Sequence, residues 1–218
     1  MFEKISEVEL YRNNVISLFR VVFSTHDGKV FERDVVRHLG AVSIVPVLDD
    51  GNSVALLSQF RASLGREIIE VPAGKRDVVG EPPEVTAVRE LEEELGLRCS
   101  SLRKLGEFEN SPGFTDEHSI SYLAQGFSFG NLSPQSVEER ESSIVIARLT
   151  RVPELISSGI ITDAKTIIGL SRASDCLKRD PKEQDSLYPL VWSASDFGSR
   201  GFADAVELSS WSQSLKAL

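Results

Sequence analysis

Residues 84–95 have the sequence pattern that most restricts the fold of this chain. They are predicted to form an amphipathic helix, whereas most of the remaining sequence has the pattern of β-strands. Val88, Leu91 and Leu95 recur at i, i+3 and i+7 and so share one helix face. Gly96, directly after them, is a natural C-terminal stop. One strong helix set among many strands predicts an α+β architecture.

Strand signals lie on both sides of this helix. Apolar runs flank an Asp-Gly turn at 26–29 and a second turn at 49–52, which predicts two β-hairpins before the helix. The full prediction places strands at 15–25, 30–38, 41–48, 53–61, 67–71, 98–109, 119–128 and 142–149, and further helices at 152–159 and 162–179. The chain has no internal repeat, so we expect one such domain.

The segment boundaries predict three parts. Residues 1–40 form an N-terminal antiparallel β extension, residues 41–179 the main domain, and residues 180–218 a C-terminal extension of unknown role. The last part contains Trp192 and Trp211 between stretches rich in Ser, Gly and Asp. Because disordered segments are poor in aromatic residues, an ordered tail that docks through its aromatic side chains is favoured over a disordered tail.

Composition excludes several classes of protein. The 218 residues include 24 Lys and Arg against 33 Asp and Glu, so the net charge of -9 gives no broad surface for nucleic acid or an anionic membrane. The N-terminus has no apolar signal segment, and no stretch reaches the roughly 18 apolar residues of a membrane span. Cys99 and Cys176 form no zinc motif, and so few cysteines favour a reducing compartment, so we expect a cytoplasmic protein.

Three carboxylates stand on the face of the helix opposite its apolar stripe. Glu90, Glu93 and Glu94 are spaced i, i+3 and i+4. Taken alone, such a face is most often a solvated surface. Crowded oxygen ligands also suit a hard cation such as Mg²⁺ or Mn²⁺, and the irregular Pro-Ala-Gly turn at 72–74 can add carbonyl oxygens. Arg89 lies one turn before Glu93 and can hold its carboxylate in place.

These residues form part of a longer pattern. It consists of Glu81, Arg89-Glu90-Leu91, Glu93-Glu94 and Gly96-Leu97. The pattern resembles the Nudix box, G-x5-E-x7-R-E-U-x-E-E-x-G-U, in which U is aliphatic. Every position from Glu81 onward matches, but residues 75–80 separate Gly74 from Glu81, one more than the family pattern has.

Flanking motifs narrow the resemblance to the ADP-ribose pyrophosphatases of the Nudix superfamily. They are Ser58-Gln59-Phe60-Arg61, Ile69-Glu70-Val71-Pro72-Ala73-Gly74-Lys75, His38 before Gly40-Ala41-Val42, and Ser111-Pro112-Gly113-Phe114-Thr115-Asp116-Glu117. The resemblance implies a mixed β-sheet sandwiched between helices and hydrolysis of ADP-ribose to AMP and ribose 5-phosphate. It also implies a homodimer in which the N-terminal strands of the two subunits pair.

The resemblance assigns a set of metal ligands. The side chains of Glu90, Glu93 and Glu94 and the carbonyl of Ala73 would bind Mg²⁺ or Mn²⁺, with two or more ions expected. Such ions neutralise a diphosphate and activate water. Glu93 would therefore be a catalytic residue as well as a metal ligand. Glu81 would support the loop at the start of the helix or touch an outer metal.

The general base is left open between two residues. In the resembled subfamily it comes from an acidic loop after the core strands, and the matching stretch here is 137–141, with Glu138 or Glu139 as the base. A solvated charge run is the competing interpretation of this stretch.

Three further residues are expected to contact substrate by the same resemblance. Arg61 and Glu70 match residues that hold the diphosphate and the nucleotide, and Glu117 would face the terminal ribose or only stabilise its turn. Two other functions remain open, namely hydrolysis of another nucleoside diphosphate derivative, such as a nucleotide sugar or NADH, and a non-catalytic nucleotide sensor. The complete set of helix carboxylates weighs against the sensor.

Overall fold

The computed structural model describes residues 1–178, 191–193 and 216–217. Its strands are β1 (Glu3–Arg12), β2 (Ile16–Ser24), β3 (Val30–His38), β4 (Ala41–Pro46), β5 (Ser53–Arg61), β6 (Arg66–Glu70), β7 (Ala73–Lys75), β8 (Leu97–Glu109), β9 (His118–Phe129), β10 (Ser143–Arg148), β11 (Val191–Ser193) and β12 (Lys216–Ala217). Its helices are α1 (Pro83–Leu95), α2 (Val137–Arg140), α3 (Val152–Ser157) and α4 (Ala164–Lys178), with a 3-10 turn at Leu149–Arg151. No helix in this described part is long and apolar enough to cross a membrane.

The N-terminal residues form a separate three-stranded antiparallel sheet in the order β1-β2-β3. The first predicted hairpin is confirmed, since β2 pairs with β3 around a turn in which Gly28 has a φ of 81°, a value that favours glycine. Strand β1 was not among the predicted strands. It lies on the outside of this sheet and exposes four large apolar side chains, those of Ile5, Val8, Leu10 and Tyr11.

The main domain is built on two sheets. The larger has the order β11-β8-β9-β4-β7 and is mixed, because β4 runs parallel to β9 and antiparallel to β7. The smaller has the order β12-β10-β5-β6. These elements confirm the predicted α+β class.

Two helices cover opposite faces of the larger sheet. Side chains alternate between the faces along β4, so Ile44 packs with Leu91 of α1, while Val45 packs with Leu170 of α4. Each face thereby forms its own apolar cluster, and the expected mixed sheet between helices is present. Helix α1 is also tied to the sheet at its N-terminal end, where the buried Tyr122 hydroxyl donates to Glu84 Oε1 at 3.2 Å.

The second predicted hairpin is wrong. Strands β4 and β5 lie in different sheets and share only the single bridge between Val47 and Val54. The turn itself was correctly placed, because Asp50 accepts hydrogen bonds from the backbone N–H groups of Asn52 and Ser53. Both strands are buried on both faces, so each pairs inside its own sheet, and the turn passes the chain from one sheet to the other.

The helix at 84–95 is confirmed and extends one residue upstream, since α1 begins at Pro83. Gly96 ends it in the left-handed conformation, at a φ of 65°, and donates its backbone N–H to the carbonyl of Glu92 at 2.9 Å. In the C-terminal extension, β11 pairs with β8 and β12 pairs with β10. The predicted docking of the tail through Trp192 and Trp211 concerns side chains outside the described residues.

Candidate active site

A cavity of about 630 Å³ opens where α1, β5, β7, α2 and the first turn of α4 meet. This volume is within the range of roughly 300–1,000 Å³ that is usual for small-molecule sites. Its charged lining comprises the acidic residues Asp77, Glu90, Glu93, Glu94, Glu117, Glu138 and Glu139 and the basic residues Arg61, Lys75, Arg89 and Lys165. Ala73 also lines it. The fold therefore gathers every predicted site residue in one place except Glu70, which is not part of the lining.

Glu94 is held from the side of strand β7. Its Oε2 accepts the backbone N–H of Ala73 at 3.0 Å, and the residue is only 7% exposed. Burial raises the pKa of Glu94 to about 8, with the Ala73 N–H opposing the shift and the charge of Glu90 adding to it. The predicted irregular turn at 72–74 is wrong, because residues 73–75 form strand β7 and pair with β4, but the segment lies directly against the helix carboxylates as expected.

Gly74 makes room for the Glu90 carboxylate. A Cβ atom on Gly74 would lie 1.9 Å from the Glu90 carboxyl carbon and 2.1 Å from its Oε1. No other residue type fits this position while Glu90 stays where it is, which explains the leading glycine of the motif despite the longer loop that follows. Burial raises the pKa of Glu90 to about 7, with Arg89 opposing the shift and Glu93 adding to it.

Arg89 organises the acidic face. It donates to Glu90 Oε1 at 2.9 Å, to Glu93 Oε2 at 3.2 Å and to Glu81 Oε2 at 3.3 Å. Burial by itself lowers the pKa of Arg89, but the hydrogen bond to Glu81 and the surrounding carboxylates raise it overall, so the guanidinium stays charged. The predicted contact between Arg89 and Glu93 is confirmed. Glu81 also accepts the Thr86 hydroxyl at 2.8 Å, which fixes the entry to α1.

The donor set fits a divalent cation. Within the part of the chain that the structure describes, no three acidic, histidine or cysteine side chains converge as a ready-made metal cluster. The carboxylates instead take Arg89 and the Ala73 N–H as partners. Burial is the main cause of the raised pKa values of Glu90 and Glu94, and neighbouring carboxylates add to them, so a hard cation with oxygen ligands bound here would favour the charged carboxylates.

The acidic stretch at 137–141 forms the short helix α2 at the edge of the cavity. Ser136 and Glu139 form a capping box, in which Ser136 Oγ accepts the Glu139 N–H at 3.1 Å and Glu139 Oε2 accepts the Ser136 N–H at 3.3 Å. The charge of Glu139 contributes to the raised pKa values of Glu90 and Glu94, so α2 faces the helix carboxylates. The Ser-x-x-Glu spacing of Ser136 and Glu139 is typical of a helix N-terminus and could have predicted this helix.

Glu138 and Glu139 differ in their partners. The Glu139 carboxylate also accepts the N–H of Gln135 at 2.6 Å and is therefore engaged by the backbone. Glu138 lines the cavity and has no hydrogen-bond partner among the described residues. The predicted pair is thus present at the site, with one carboxylate engaged and one available.

Arg61, Glu70 and Lys165 form a hydrogen-bonded network beside the cavity. Arg61 binds Glu70 through two parallel hydrogen bonds of 2.6 and 2.7 Å, and Lys165 binds the same carboxylate and lies 3.1 Å from Asp163 Oδ2. Glu70 has no exposed surface, whereas both cations line the cavity. Sequence reasoning missed Lys165, although Asp163 before a helical pattern is an N-cap signal that places Lys165 in the first turn.

Comparison with known families agrees with this geometry. The NUDIX domain family matches residues 37–165, which is more than half of the chain. The chain therefore belongs to the Nudix family, and it is a Nudix hydrolase.

Several curated proteins are similar to it. An ADP-ribose pyrophosphatase of Bacillus subtilis (strain 168) is 36% identical over 162 residues, which cover 74% of this chain and 86% of that protein. An ADP-ribose pyrophosphatase of Mycobacterium tuberculosis is 43% identical over 125 residues, 57% of this chain and 60% of that protein. A GDP-mannose pyrophosphatase of Cronobacter sakazakii is 27% identical over 177 residues, 74% of this chain and 92% of that protein.

One solved structure, described as an ADP compounds hydrolase, superposes with a TM-score of 0.72. The match covers 81% of this chain and 94% of that chain at 20% sequence identity, and it shows that the fold is shared.

Proposed function

We propose that this protein hydrolyses the diphosphate linkage of ADP-ribose, giving AMP and ribose 5-phosphate, with Mg²⁺ or Mn²⁺ as cofactor. The observation that carries the proposal is the charge composition of the cavity, in which the α1 carboxylates and the cations Arg61 and Lys165 line the same space. Carboxylates alone repel a diphosphate. A diphosphate-binding site therefore needs basic side chains and metal ions bound to the carboxylates. The names of the relatives from B. subtilis and M. tuberculosis support ADP-ribose as the substrate.

Four groups would hold the metal ions, of which we expect two or more. They are the side chains of Glu90, Glu93 and Glu94 and the carbonyl of Ala73. Bound there, the ions would neutralise the diphosphate and lower the pKa of a water nucleophile. The chain itself keeps the carboxylates in place, since Arg89 holds Glu90 and Glu93. The Ala73 N–H holds Glu94.

The general base in this proposal is on α2. A base must have a free carboxylate within reach of the attacking water. The carboxylate of Glu138, which has no hydrogen-bond partner in the described part of the chain, supports this residue as the base, while the capping bonds of Glu139 support a role in shaping the loop. Glu117, which lines the cavity, is proposed to face the terminal ribose.

A second candidate function is hydrolysis of a nucleotide sugar. The similarity to a GDP-mannose pyrophosphatase favours it, and both substrates present the same diphosphate to the same groups. The two functions are separated by incubating the purified protein and Mg²⁺ with ADP-ribose, NADH, ADP-glucose and GDP-mannose and identifying the released nucleotide. We expect AMP from ADP-ribose at the highest kcat/KM, and no turnover with excess EDTA. Faster hydrolysis of GDP-mannose would transfer the proposal to nucleotide sugars, and full activity in EDTA would refute the metal assignment.

We also propose that the protein is a homodimer in which the N-terminal sheets of two subunits pair. Strand β1 is the outer strand of its sheet and exposes Ile5, Val8 and Tyr11, apolar surface that a second subunit would cover. Light scattering after size exclusion should give the mass of two chains for the wild type and of one chain for Val8→Glu.

We propose a cytoplasmic location as well. Both cysteines are buried and form no disulfide, which is usual for proteins of a reducing compartment.

A further inference from the structure

We infer that Lys165 and Arg61 together form a two-cation clamp for the diphosphate, and that Glu70 is the buried anchor of this clamp and makes no contact with substrate. The inference rests on the proposed function and extends it, because it assigns a binding residue, Lys165, and gives Glu70 a positioning role.

The burial of Glu70 excludes direct contact in the described geometry. Its side chain has no exposed surface, and it does not line the cavity. Arg61 Nε donates to Oε1, and Arg61 Nη2 and Lys165 Nζ both donate to Oε2. A ligand in the cavity would meet the two cations that surround this carboxylate before it met the carboxylate.

Both cations keep donors for a ligand. The ammonium of Lys165 has three N–H donors, and Glu70 and Asp163 account for two acceptors. The guanidinium of Arg61 has five donors and uses two on Glu70. The side chain of Arg61 is 38% exposed and that of Lys165 is 17% exposed. The remaining donors of both can therefore face the anionic oxygens of a diphosphate.

The backbone that carries Lys165 is fixed relative to Glu70. Asp163 Oδ2 accepts the N–H of Thr166 at 2.9 Å and its hydroxyl at 2.6 Å, which caps α4. The hydroxyl oxygen of Thr166 in turn accepts the backbone N–H of Val71, the residue after Glu70, at 2.9 Å. This buried connection joins the first turn of α4 to the end of β6, so the backbone positions of Lys165 and Glu70 are fixed relative to each other.

The competing explanation is that Lys165 only neutralises the buried charge of Glu70. The two explanations differ in what happens when that charge is removed. In a Glu70→Gln background no charge needs neutralising, so a purely structural lysine becomes dispensable, whereas a lysine that contacts the ligand does not. The Glu70→Gln background also protects folding, because Lys165→Met alone leaves Glu70 with one cation fewer.

The experiment measures the Kd of the non-hydrolysable analogue α,β-methylene-ADP-ribose by calorimetry, with a thermal unfolding curve for every variant. Lys165→Met should weaken binding by about 10- to 100-fold, the effect of one charge-assisted hydrogen bond. Lys165→Arg should recover most of the affinity. Lys178→Met is the matched control, since it removes a lysine from the far end of the same helix, about 20 Å away, and should leave the Kd unchanged.

The decisive comparison is Glu70→Gln against Glu70→Gln/Lys165→Met. A further loss of about 10-fold or more in the double variant supports the clamp. Equal Kd values would overturn it, since Lys165 would then act only through Glu70. Because the readout is binding, the clamp is tested separately from the reaction. Failure to hydrolyse ADP-ribose in the substrate panel would refute the proposed function, while a Lys165-dependent Kd for the analogue would still support the clamp.

Discussion

Replacing Gly74 by alanine should lower the catalytic rate strongly while changing the unfolding free energy little. The new Cβ would lie 1.9 Å from the carboxyl carbon of Glu90, whereas ordinary contact begins at 3.4 Å, so this carboxylate would have to retreat by about 1.5 Å. A displacement of about 1 Å in a catalytic group costs on the order of 100-fold in rate. We therefore expect kcat/KM for ADP-ribose with Mg²⁺ to fall by about 100-fold or more.

The same substitution should change stability little. Gly74 has no positive φ, so alanine is allowed there, and a compatible glycine-to-alanine change stabilises by about 0.4–1 kcal/mol through the unfolded chain. The atoms in the way are the carboxyl group and the Cγ of Glu90, so the whole side chain would have to turn toward the open cavity. We expect the unfolding free energy to stay within about 1 kcal/mol of the wild type.

The assay pairs steady-state release of AMP with urea denaturation. Gly113→Ala is the matched control for the backbone effect, because Gly113 also has no positive φ and nothing lies within 4 Å of the added Cβ. Wild-type kcat/KM in Gly74→Ala would refute the requirement for Glu90 at its present position. A loss of several kcal/mol in Gly74→Ala with no loss in Gly113→Ala would show that Glu90 cannot move aside.

Three other predictions concern the acidic groups. Glu93→Gln and Glu94→Gln should each lower turnover by orders of magnitude at saturating Mg²⁺ while circular dichroism stays native; wild-type rates in either would remove the metal assignment. Glu138→Gln should lower kcat and remove the acidic limb of the pH-rate profile, where the rate falls because a general base becomes protonated, whereas Glu139→Gln should change kcat less and mainly loosen α2; the reverse order would assign the base to Glu139. In metal-free protein the pKa values of Glu90, about 7, and Glu94, about 8, lie above the ordinary value of 4.5, so the folded state binds more protons than the unfolded chain. The contribution of these two groups to the unfolding free energy is therefore greatest below about pH 4.5 and falls as the pH rises toward 8. Urea denaturation from pH 5 to 8.5 should show a falling unfolding free energy, and the fall should be smaller in Glu94→Gln.

The helix and its metal-binding face could be predicted because their determinants are local. Apolar spacing fixes which side of α1 is buried, and it therefore also fixes that Glu90, Glu93 and Glu94 face the other way. The stop at Gly96 depends on its own backbone conformation. Periodicity over a few turns contains all of this information, and the structure places the helix within one residue of the prediction.

Strand pairing was predicted less well because it depends on distant partners. The Asp-Gly signal marked both turns correctly, yet only the first joins two paired strands. Strand β1 was missed because its residues are exposed on both sides and show no buried alternation. A turn motif specifies a change of direction, but the neighbour of each strand is decided by which sheet buries it.

By itself, then, the sequence determined the family, the acidic helix and the chemistry that an oxygen-ligand face implies. Only the tertiary structure decided which other groups line the cavity together with that face. Lys165 and Glu70 are 95 residues apart in the chain, and no local pattern links them. Helix α4 packs in the same apolar cluster as Val71, and this packing brings Lys165 to Glu70, a fully buried residue that binds two cations.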